Sequence, residues 1–162
     1  MAESFSVNKL LSDEEKYLEL LPQIKSLLNK NENLISNLSN FTAALNQAFD
    51  KISWVGFYLF DGKKLYLGPF QGKVACTTIE IGKGVCGAAA EKKETIIVPD
   101  VHEFPGHIFC DGGTNSEIVI PIIKQKNLIG VLDLDSYEFS AFNETDKIYL
   151  EKLIEFLTTD IF

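Results

Sequence analysis

The sequence of 162 residues contains no arginine, a single tryptophan and a single methionine. Its basic residues are 15 lysines, which face 23 aspartates and glutamates and leave a formal charge of −8 at pH 7. Proteins that bind nucleic acid need clustered basic charge to neutralise phosphates. The sequence therefore argues against a nucleic-acid-binding protein. It also lacks the guanidinium groups that hold anionic ligands through two parallel hydrogen bonds.

Long apolar runs are absent as well, although apolar residues make up 46% of the chain. No stretch approaches the roughly 20 consecutive apolar residues that a transmembrane helix requires. Residues 1–11 lack the basic and apolar segments of a secretory signal, so we expect a cytoplasmic protein that does not contact a membrane. The length fits a single domain over residues 1–162.

Three cysteines, Cys76, Cys86 and Cys110, are an odd number for a disulfide framework in a reducing compartment, and thiol or metal chemistry stays open. Cys110 lies beside an aspartate in residues 99–115, a long segment without periodicity, where a thiol is accessible. Cys86 lies near the start of a short predicted helix, whose dipole favours a thiolate, although apolar neighbours indicate burial. Cys76 heads a predicted strand, a position more typical of a structural thiol.

Hydrophobic periodicity predicts helices at both ends of the chain with strands between them. Ser12 and Glu15 form a capping-box pattern, so the first helix begins near Asp13, and Pro22 predicts a kink or a break in it. An apolar stripe predicts a second helix of about fifteen residues. Asn143 caps a last helix. Hairpins between the helices favour an antiparallel sheet covered by helices, an α+β architecture.

Two apolar runs separated by residues 125–127 predict a second hairpin. If it closes symmetrically about Lys126, Glu117 lies opposite Asp135. Asp133 then lies on the same face as both, because side chains alternate along a strand. The opposite face is apolar. Like charges this close destabilise a sheet, so a bound cation, a shared proton or simple solvation of fraying strand ends must compensate.

Metal binding is the weaker interpretation of these groups. The acids offer the oxygen ligands of Mg²⁺ or Ca²⁺, but the sequence contains no EF-hand loop. His102, His107 and Cys110 lie close enough in sequence to suggest zinc, yet their spacing matches no paired zinc motif. We therefore expect no metal.

Several motifs together resemble one family. The motifs are Trp54-Val55-Gly56-Phe57-Tyr58, Gly68-Pro69-Phe70-Gln71-Gly72, the run from Gly82 to Ala88, Val98-Pro99-Asp100-Val101, Phe104-Pro105-Gly106-His107, Cys110-Asp111, Ser116-Glu117 and the run from Gly130 to Ser136. With the three cysteines, they are similar to the free methionine-(R)-sulfoxide reductases, enzymes with the GAF fold. The likeness covers nearly the whole chain. Tyr137 is a departure, because proline is commoner there in the family.

The resemblance implies a GAF-like fold with about six antiparallel strands packed against N- and C-terminal helices, and a pocket for free methionine sulfoxide rather than for a peptide. Glu117, Asp133 and Asp135 would receive the substrate ammonium, and a protonated member of the three would donate a hydrogen bond to the sulfoxide oxygen. Trp54 and Tyr58 would wall the methyl and sulfoxide end. No bound cofactor is implied, and family members are often homodimers.

The mechanism that we expect from the resemblance begins with attack of the Cys110 thiolate on the sulfoxide sulfur, which releases methionine and leaves a sulfenic acid. Cys76 then forms a disulfide with Cys110. Thioredoxin reduces this disulfide with electrons from NADPH, delivered by thioredoxin reductase. Cys86 is the alternative nucleophile or resolving thiol, and the resemblance does not decide between these assignments.

Two classes of protein without this catalysis fit the same resemblance. GAF domains also bind cyclic nucleotides, tetrapyrroles or other small effectors in sensory proteins. Such modules usually act on an output domain, for which this chain has no room, and three acids repel a phosphate. A thiol-based redox sensor is the other class, and it would be oxidised by peroxide without releasing methionine.

Overall fold

The computed structural model describes residues 5–108 and 110–162. The helices are α1 (Asp13–Leu27), α2 (Leu34–Ala48), α3 (Gly84–Lys92) and α4 (Glu144–Phe156). The strands are β1 (Trp54–Phe60), β2 (Lys64–Gln71), β3 (Thr78–Glu80), β4 (Ile96–Val98), β5 (Ser116–Lys124) and β6 (Asn127–Ser136). A 3₁₀ turn (Val101–Glu103) follows β4, and a π-helical turn (Leu157–Ile161) follows α4. None of the described helices is long and apolar enough to cross a bilayer.

The six strands form one antiparallel sheet in the order β3-β2-β1-β6-β5-β4. The central pair joins β1 and β6, which are far apart in the sequence. Trp54 pairs with Asp135 there, and Gly56 pairs with Asp133. This pairing brings β1, which carries Trp54 and Tyr58, beside β6, which carries Asp133 and Asp135. The α+β architecture predicted from the hairpins and the six strands expected from the resemblance are both confirmed.

Each face of the sheet carries its own core. On the first face α1, α2 and α4 pack over strand side chains such as Phe57, Ile118 and Leu132. The second face packs against α3 and includes Val119 and Val131. Because side chains alternate along β1 and β6, Val55 and Leu134 pack in the first core, whereas Trp54, Asp133 and Asp135 point toward the second face. The site is therefore built on the side that α3 covers.

Short local signals determine where the helices begin. α1 starts at Asp13 after a capping box formed by Ser12 and Glu15, as predicted. α2 has the predicted 15 residues. α4 follows Asn143, whose side chain accepts the N–H of Thr145 at 2.8 Å. In each case a polar side chain satisfies a backbone N–H that the helix itself leaves without a partner.

The break that was one of the two outcomes expected at Pro22 does not occur, and α1 continues through this residue to Leu27. A proline removes one backbone donor and crowds the preceding turn, but it leaves the other hydrogen bonds of the helix in place. Tyr17, Leu20 and Ile24 are fully buried on either side of it. Packing against the core thus outweighs the local cost of the proline.

The strand predicted to start at Cys76 is shorter than expected, and β3 begins at Thr78. Cys76 lies in the connection before it. Its carbonyl accepts a hydrogen bond from the Tyr58 hydroxyl at 3.0 Å. The interpretation of Cys76 as the first residue of a strand is therefore wrong, and its position is fixed by an aromatic side chain of β1 instead.

Candidate active site

A cavity of about 520 Å³, counted with the part open to solvent, lies between the second face of the sheet, α3 and the loop 99–115. Seven of the eight site residues selected from the sequence line it: Trp54, Tyr58, Cys86, Cys110, Glu117, Asp133 and Asp135. The eighth, Cys76, is bonded to Cys110. The structure thus brings together residues that span more than half of the chain.

The β5–β6 hairpin places the three acids on one face, as its predicted register requires. Glu117 pairs with Asp135, and Val119 pairs with Asp133. The turn itself differs from the expected three-residue turn, because only two residues, both with positive φ, connect Lys124 and Asn127. A bulge after Ile122 then shifts the register by one residue. The two differences cancel, so the acidic end of the hairpin has the predicted register.

Burial and mutual repulsion keep protons on the acidic cluster. Glu117 and Asp133 are 4% and 6% exposed. Burial raises the pKa of Glu117 well above its usual value, and the charges of Asp133 and Asp135 raise it further. Burial raises the pKa of Asp133 to about 6, while hydrogen bonds from Cys86 and Glu117 oppose this rise. The pKa of Asp135 is raised by burial and then by Asp133 and Asp111.

These shifts assign different protonation states to neighbouring acids. Glu117 keeps its proton to a higher pH than Asp133, which ionises first. Asp133 Oδ1 is buried and has no hydrogen-bond partner within the described residues. A buried acceptor without a donor costs about 1–3 kcal/mol. The cluster is therefore suited to a ligand that brings a cationic hydrogen-bond donor.

Two aromatic side chains of β1 form the adjacent wall. The Trp54 and Tyr58 rings stack with centroids 6.0 Å apart. Gly56 lies between them, and a Cβ at this position would lie 2.4 Å from the indole ring, so only glycine fits. Trp54 Nε1 donates to the carbonyl of Lys73 at 3.0 Å, while the Tyr58 hydroxyl bonds Cys76. The aromatic pair thus also anchors the segment that carries Cys76.

Cys76 and Cys110 form a disulfide with their Cα atoms 5.5 Å apart. Composition alone gave no reason to expect a disulfide, whereas the expected mechanism paired Cys110 with Cys76 and kept Cys86 as the alternative. Cys110 is exposed and Cys76 is half-buried. The bond joins the segment before β3 to the loop 99–115 beside the cavity, so the pair is positioned for redox chemistry at that site.

Cys86 differs from the other two cysteines in being buried with a free thiol. Its Sγ lies 4.0 Å from Glu117 Oε1. Burial raises the pKa of this thiol well above its usual value, and the charges of Asp133 and Glu117 add to the effect. The expectation that the helix dipole favours a thiolate here is therefore wrong, because desolvation and nearby acids outweigh the start of α3.

Cys86, Glu117 and Asp133 offer donor atoms within 4.8 Å of one another, which is close enough to share a metal ion. The other metal hypothesis, based on His102, His107 and Cys110, finds no corresponding group among the described residues. Cys110 is in a disulfide, and His102 Nδ1 lies 2.8 Å from Asp100. Among the described residues, such donor atoms therefore converge at the acidic cluster.

His107 is a site residue that the sequence analysis considered only as a zinc ligand. Its side chain lines the cavity, is 8% exposed and places Nδ1 3.7 Å from Glu117 Oε2. Burial lowers the pKa of this imidazole, with a further contribution from His102. The available signal was the Phe104-Pro105-Gly106-His107 motif, which carries no information about which way the ring points.

Fold and site together define a small α+β domain whose sheet and α3 enclose a ligand cavity. The sequence profile of the GAF domain family matches residues 38–158. GAF domain-containing protein A of Dictyostelium discoideum is 51% identical over 158 residues, which cover 97% of this chain and 99% of that protein. The class of the domain expected from the resemblance is thereby confirmed.

Two further relatives indicate the subgroup of GAF-domain proteins to which the chain belongs. The free methionine-R-sulfoxide reductase of Saccharomyces cerevisiae is 44% identical over 164 residues, covering 96% of this chain and 91% of that protein. The solved structure of the free methionine-R-sulfoxide reductase from Neisseria meningitidis in complex with its substrate is 43% identical, with a TM-score of 0.89 over 96% of this chain and 94% of that one. The chain belongs to the GAF-domain family of free methionine-R-sulfoxide reductases.

Proposed function

We propose that this chain reduces free methionine-(R)-sulfoxide to methionine by thiol chemistry. Family membership supports the reaction. One structural observation supports the mechanism most directly. Cys110, which is bonded to Cys76, lines the same cavity as the three buried acids. A reactive sulfur and a cation-binding cluster in one cavity suit a small zwitterion that contains an oxidised sulfur.

In the proposed complex, the substrate ammonium binds the acidic cluster. Asp133 ionises first and has a buried oxygen free to accept a hydrogen bond, so it is the first contact. Glu117 and Asp135 complete the cluster. Trp54 and Tyr58 enclose the methyl and sulfoxide end. A peptide-bound residue has an amide in place of the ammonium, and this difference selects the free amino acid.

The first chemical step transfers the sulfoxide oxygen to Cys110. The thiolate attacks the sulfoxide sulfur and forms a transient S–S bond. The oxygen takes up a proton and moves to the Cys110 sulfur, and the S–S bond and the substrate S–O bond both break, which leaves Cys110 as a sulfenic acid. The substrate sulfur gains two electrons, and methionine leaves as the thioether. Glu117 holds a proton in the buried cluster, and we assign it the role of donating that proton to the oxygen.

The second step regenerates the enzyme. The Cys76 thiol attacks the sulfenic acid, water leaves, and the Cys76–Cys110 disulfide forms. We propose that thioredoxin, supplied with electrons by NADPH through thioredoxin reductase, then reduces this disulfide. No bound cofactor takes part. The cycle needs a reducing compartment, so we propose a cytoplasmic location. From the resemblance we also propose a homodimer, which analytical ultracentrifugation would test.

Cys86 is assigned a different role. Its thiol is buried and its raised pKa disfavours the thiolate. We propose that Cys86 donates a hydrogen bond to Glu117 Oε1, 4.0 Å from its Sγ, and takes no part in the electron transfer. It remains the alternative resolving thiol if Cys76 proves dispensable.

The test is a single-turnover assay on the Cys110→Ser and Cys76→Ser variants with free methionine-(R)-sulfoxide. Cys110→Ser should release no methionine. Cys76→Ser should release about one equivalent and then fail to turn over with thioredoxin. Full release by Cys110→Ser would overturn the assignment of the nucleophile. The S epimer and a peptide-bound sulfoxide serve as controls, and oxidation by peroxide without methionine release would favour a redox sensor.

A further inference from the structure

A network of three side chains, of which Asp111 lines the cavity, connects the two segments that carry the disulfide. Lys73 lies three residues before Cys76, Asp111 follows Cys110, and Tyr137 comes just after β6. The Tyr137 hydroxyl donates to Asp111 Oδ2 at 2.8 Å. Lys73 Nζ lies 3.2 Å from the same oxygen and 5.0 Å from the centre of the Tyr137 ring. We call Lys73, Asp111 and Tyr137 the clasp.

The clasp is a network whose carboxylate has a fixed orientation. Asp111 Oδ1 accepts the N–H of Gly113 at 3.0 Å. This hydrogen bond, the one from Tyr137 and the contact with Lys73 lower the pKa of Asp111. The side chain of Asp111 is 22% exposed, whereas that of Lys73 is 65% exposed. An isolated surface ion pair contributes little, but an oriented carboxylate with several donors contributes more.

The position of the clasp couples it to the disulfide. Lys73 and Cys76 lie in the connection between β2 and β3, whereas Cys110 and Asp111 lie in the loop 99–115. When the disulfide is reduced, no covalent bond joins these two segments. Contacts between Lys73 and Asp111 then limit how far the two thiols separate, and so raise their effective concentration.

We propose that the clasp positions Cys76 against Cys110 in the reduced protein and thereby favours formation of their disulfide. The coupling is reciprocal: the clasp stabilises the disulfide by the same free energy by which the disulfide stabilises the clasp. The clasp acts on the condensation of the Cys110 sulfenic acid with Cys76 and not on the oxygen transfer before it. The role of the clasp in turnover rests on the proposed function. Its effect on the stability of the disulfide does not, because the Cys76–Cys110 disulfide is present in the structure.

The test is the redox equilibrium of the Cys76–Cys110 disulfide against reduced and oxidised glutathione. Asp111→Ala should lower the effective thiol concentration about tenfold, while Lys73→Met and Tyr137→Phe should lower it about threefold. Asp100→Ala is the matched control, because Asp100 lies in the same loop and bonds His102 but does not contact the Cys76 segment. This control should match the wild type.

The charge variants separate positioning from a simple electrostatic effect on the thiol. Removing the negative charge of Asp111 favours the Cys110 thiolate, and removing the positive charge of Lys73 disfavours it. A purely electrostatic effect therefore shifts the two equilibria in opposite directions, which would overturn the proposal. Positioning shifts both in the same direction, and so does the uncharged change Tyr137→Phe. Wild-type equilibria in all three variants would also overturn it.

A kinetic measurement keeps this inference distinct from the proposed reaction. After one turnover, Tyr137→Phe should show a Cys110 sulfenic acid that persists about threefold longer, detected by dimedone labelling, at the wild-type amplitude of methionine release. If the wild-type protein releases no methionine, the proposed function fails while the glutathione equilibrium still tests the clasp. An unchanged lifetime of the sulfenic acid would contradict the clasp alone.

Discussion

Two buried acidic sites lie on opposite sides of the sheet, and they differ in how their charge is compensated. Asp146 of α4 is fully buried, and Lys51 Nζ lies 2.8 and 2.9 Å from its two carboxylate oxygens. The Tyr17 hydroxyl donates to the same carboxylate. In the cavity, by contrast, the described residues include no lysine within ion-pair distance of Glu117, Asp133 or Asp135.

The difference separates a structural site from a functional one. A buried carboxylate with a cation and further donors holds its charge and stabilises the fold only while its partners stay in place. Buried acids without a cation instead take up protons, as the raised pKa values of Glu117 and Asp133 show. Such acids lower the stability of the folded protein near neutral pH and favour a cationic ligand.

The largest expected effect is on the structural site. Asp146→Asn removes the fully buried one of the two carboxylates that Lys51 contacts, the other being Asp13 at 2.6 Å. It should lower the free energy of unfolding by about 3 kcal/mol, because the buried ammonium then has a single, partly exposed counter-charge. Urea unfolding measures the change. The double variant Lys51→Met/Asp146→Asn should recover part of the loss. Wild-type stability in Asp146→Asn would remove the contrast between the two sites.

In the cavity, replacing an acid by its amide is expected to raise the free energy of unfolding rather than to lower it. The pKa of Asp133 is raised from 3.8 to about 6 in the folded protein. The stability linked to its proton is therefore fully present below about pH 4 and is lost as pH rises through about 6. Asp133→Asn should raise the free energy of unfolding by about 2 kcal/mol near pH 8 and should change it little near pH 4. A destabilised variant near pH 8 would contradict this assignment.

The same titration should appear in catalysis. Binding of the substrate ammonium needs at least one ionised acid, and Asp133 ionises first, with a pKa of about 6. We expect kcat/KM to fall up to about tenfold per pH unit below this value. Asp133→Asn should lower kcat/KM and remove this acidic limb. A limb that persists unchanged in the variant would assign the titration to another group.

Local signals predicted the helix starts, the α+β class and the register of the acidic hairpin, whereas the six-stranded fold and the aromatic wall were expected from the family resemblance. The capping residues Ser12 and Asn143 determine where two helices begin. The register of the β5–β6 hairpin follows from the position of its turn, which places Glu117 opposite Asp135. The register also depended on a coincidence, since a shorter turn and a bulge after Ile122 offset each other. Neither feature can be read from the spacing alone.

The errors concern properties that only tertiary structure sets. Pro22 was expected to kink or break α1, but burial of neighbouring side chains on both sides of it prevents a break. Cys86 was expected to benefit from the helix dipole, yet the cavity places it among acids from β5 and β6. The orientation of His107 and the partners of Asp111 likewise depend on how the loop 99–115 packs against the sheet.

The most direct test of the acidic cluster compares the binding of two ligands to the Cys110→Ser protein by calorimetry. Free methionine-(R)-sulfoxide has an ammonium, and its N-acetyl derivative has none. The acidic cluster predicts that the derivative binds at least about a hundredfold more weakly, since it leaves the buried acids without a cationic donor. Asp133→Asn in the same background should reduce this difference. Equal binding of the two ligands would contradict the account.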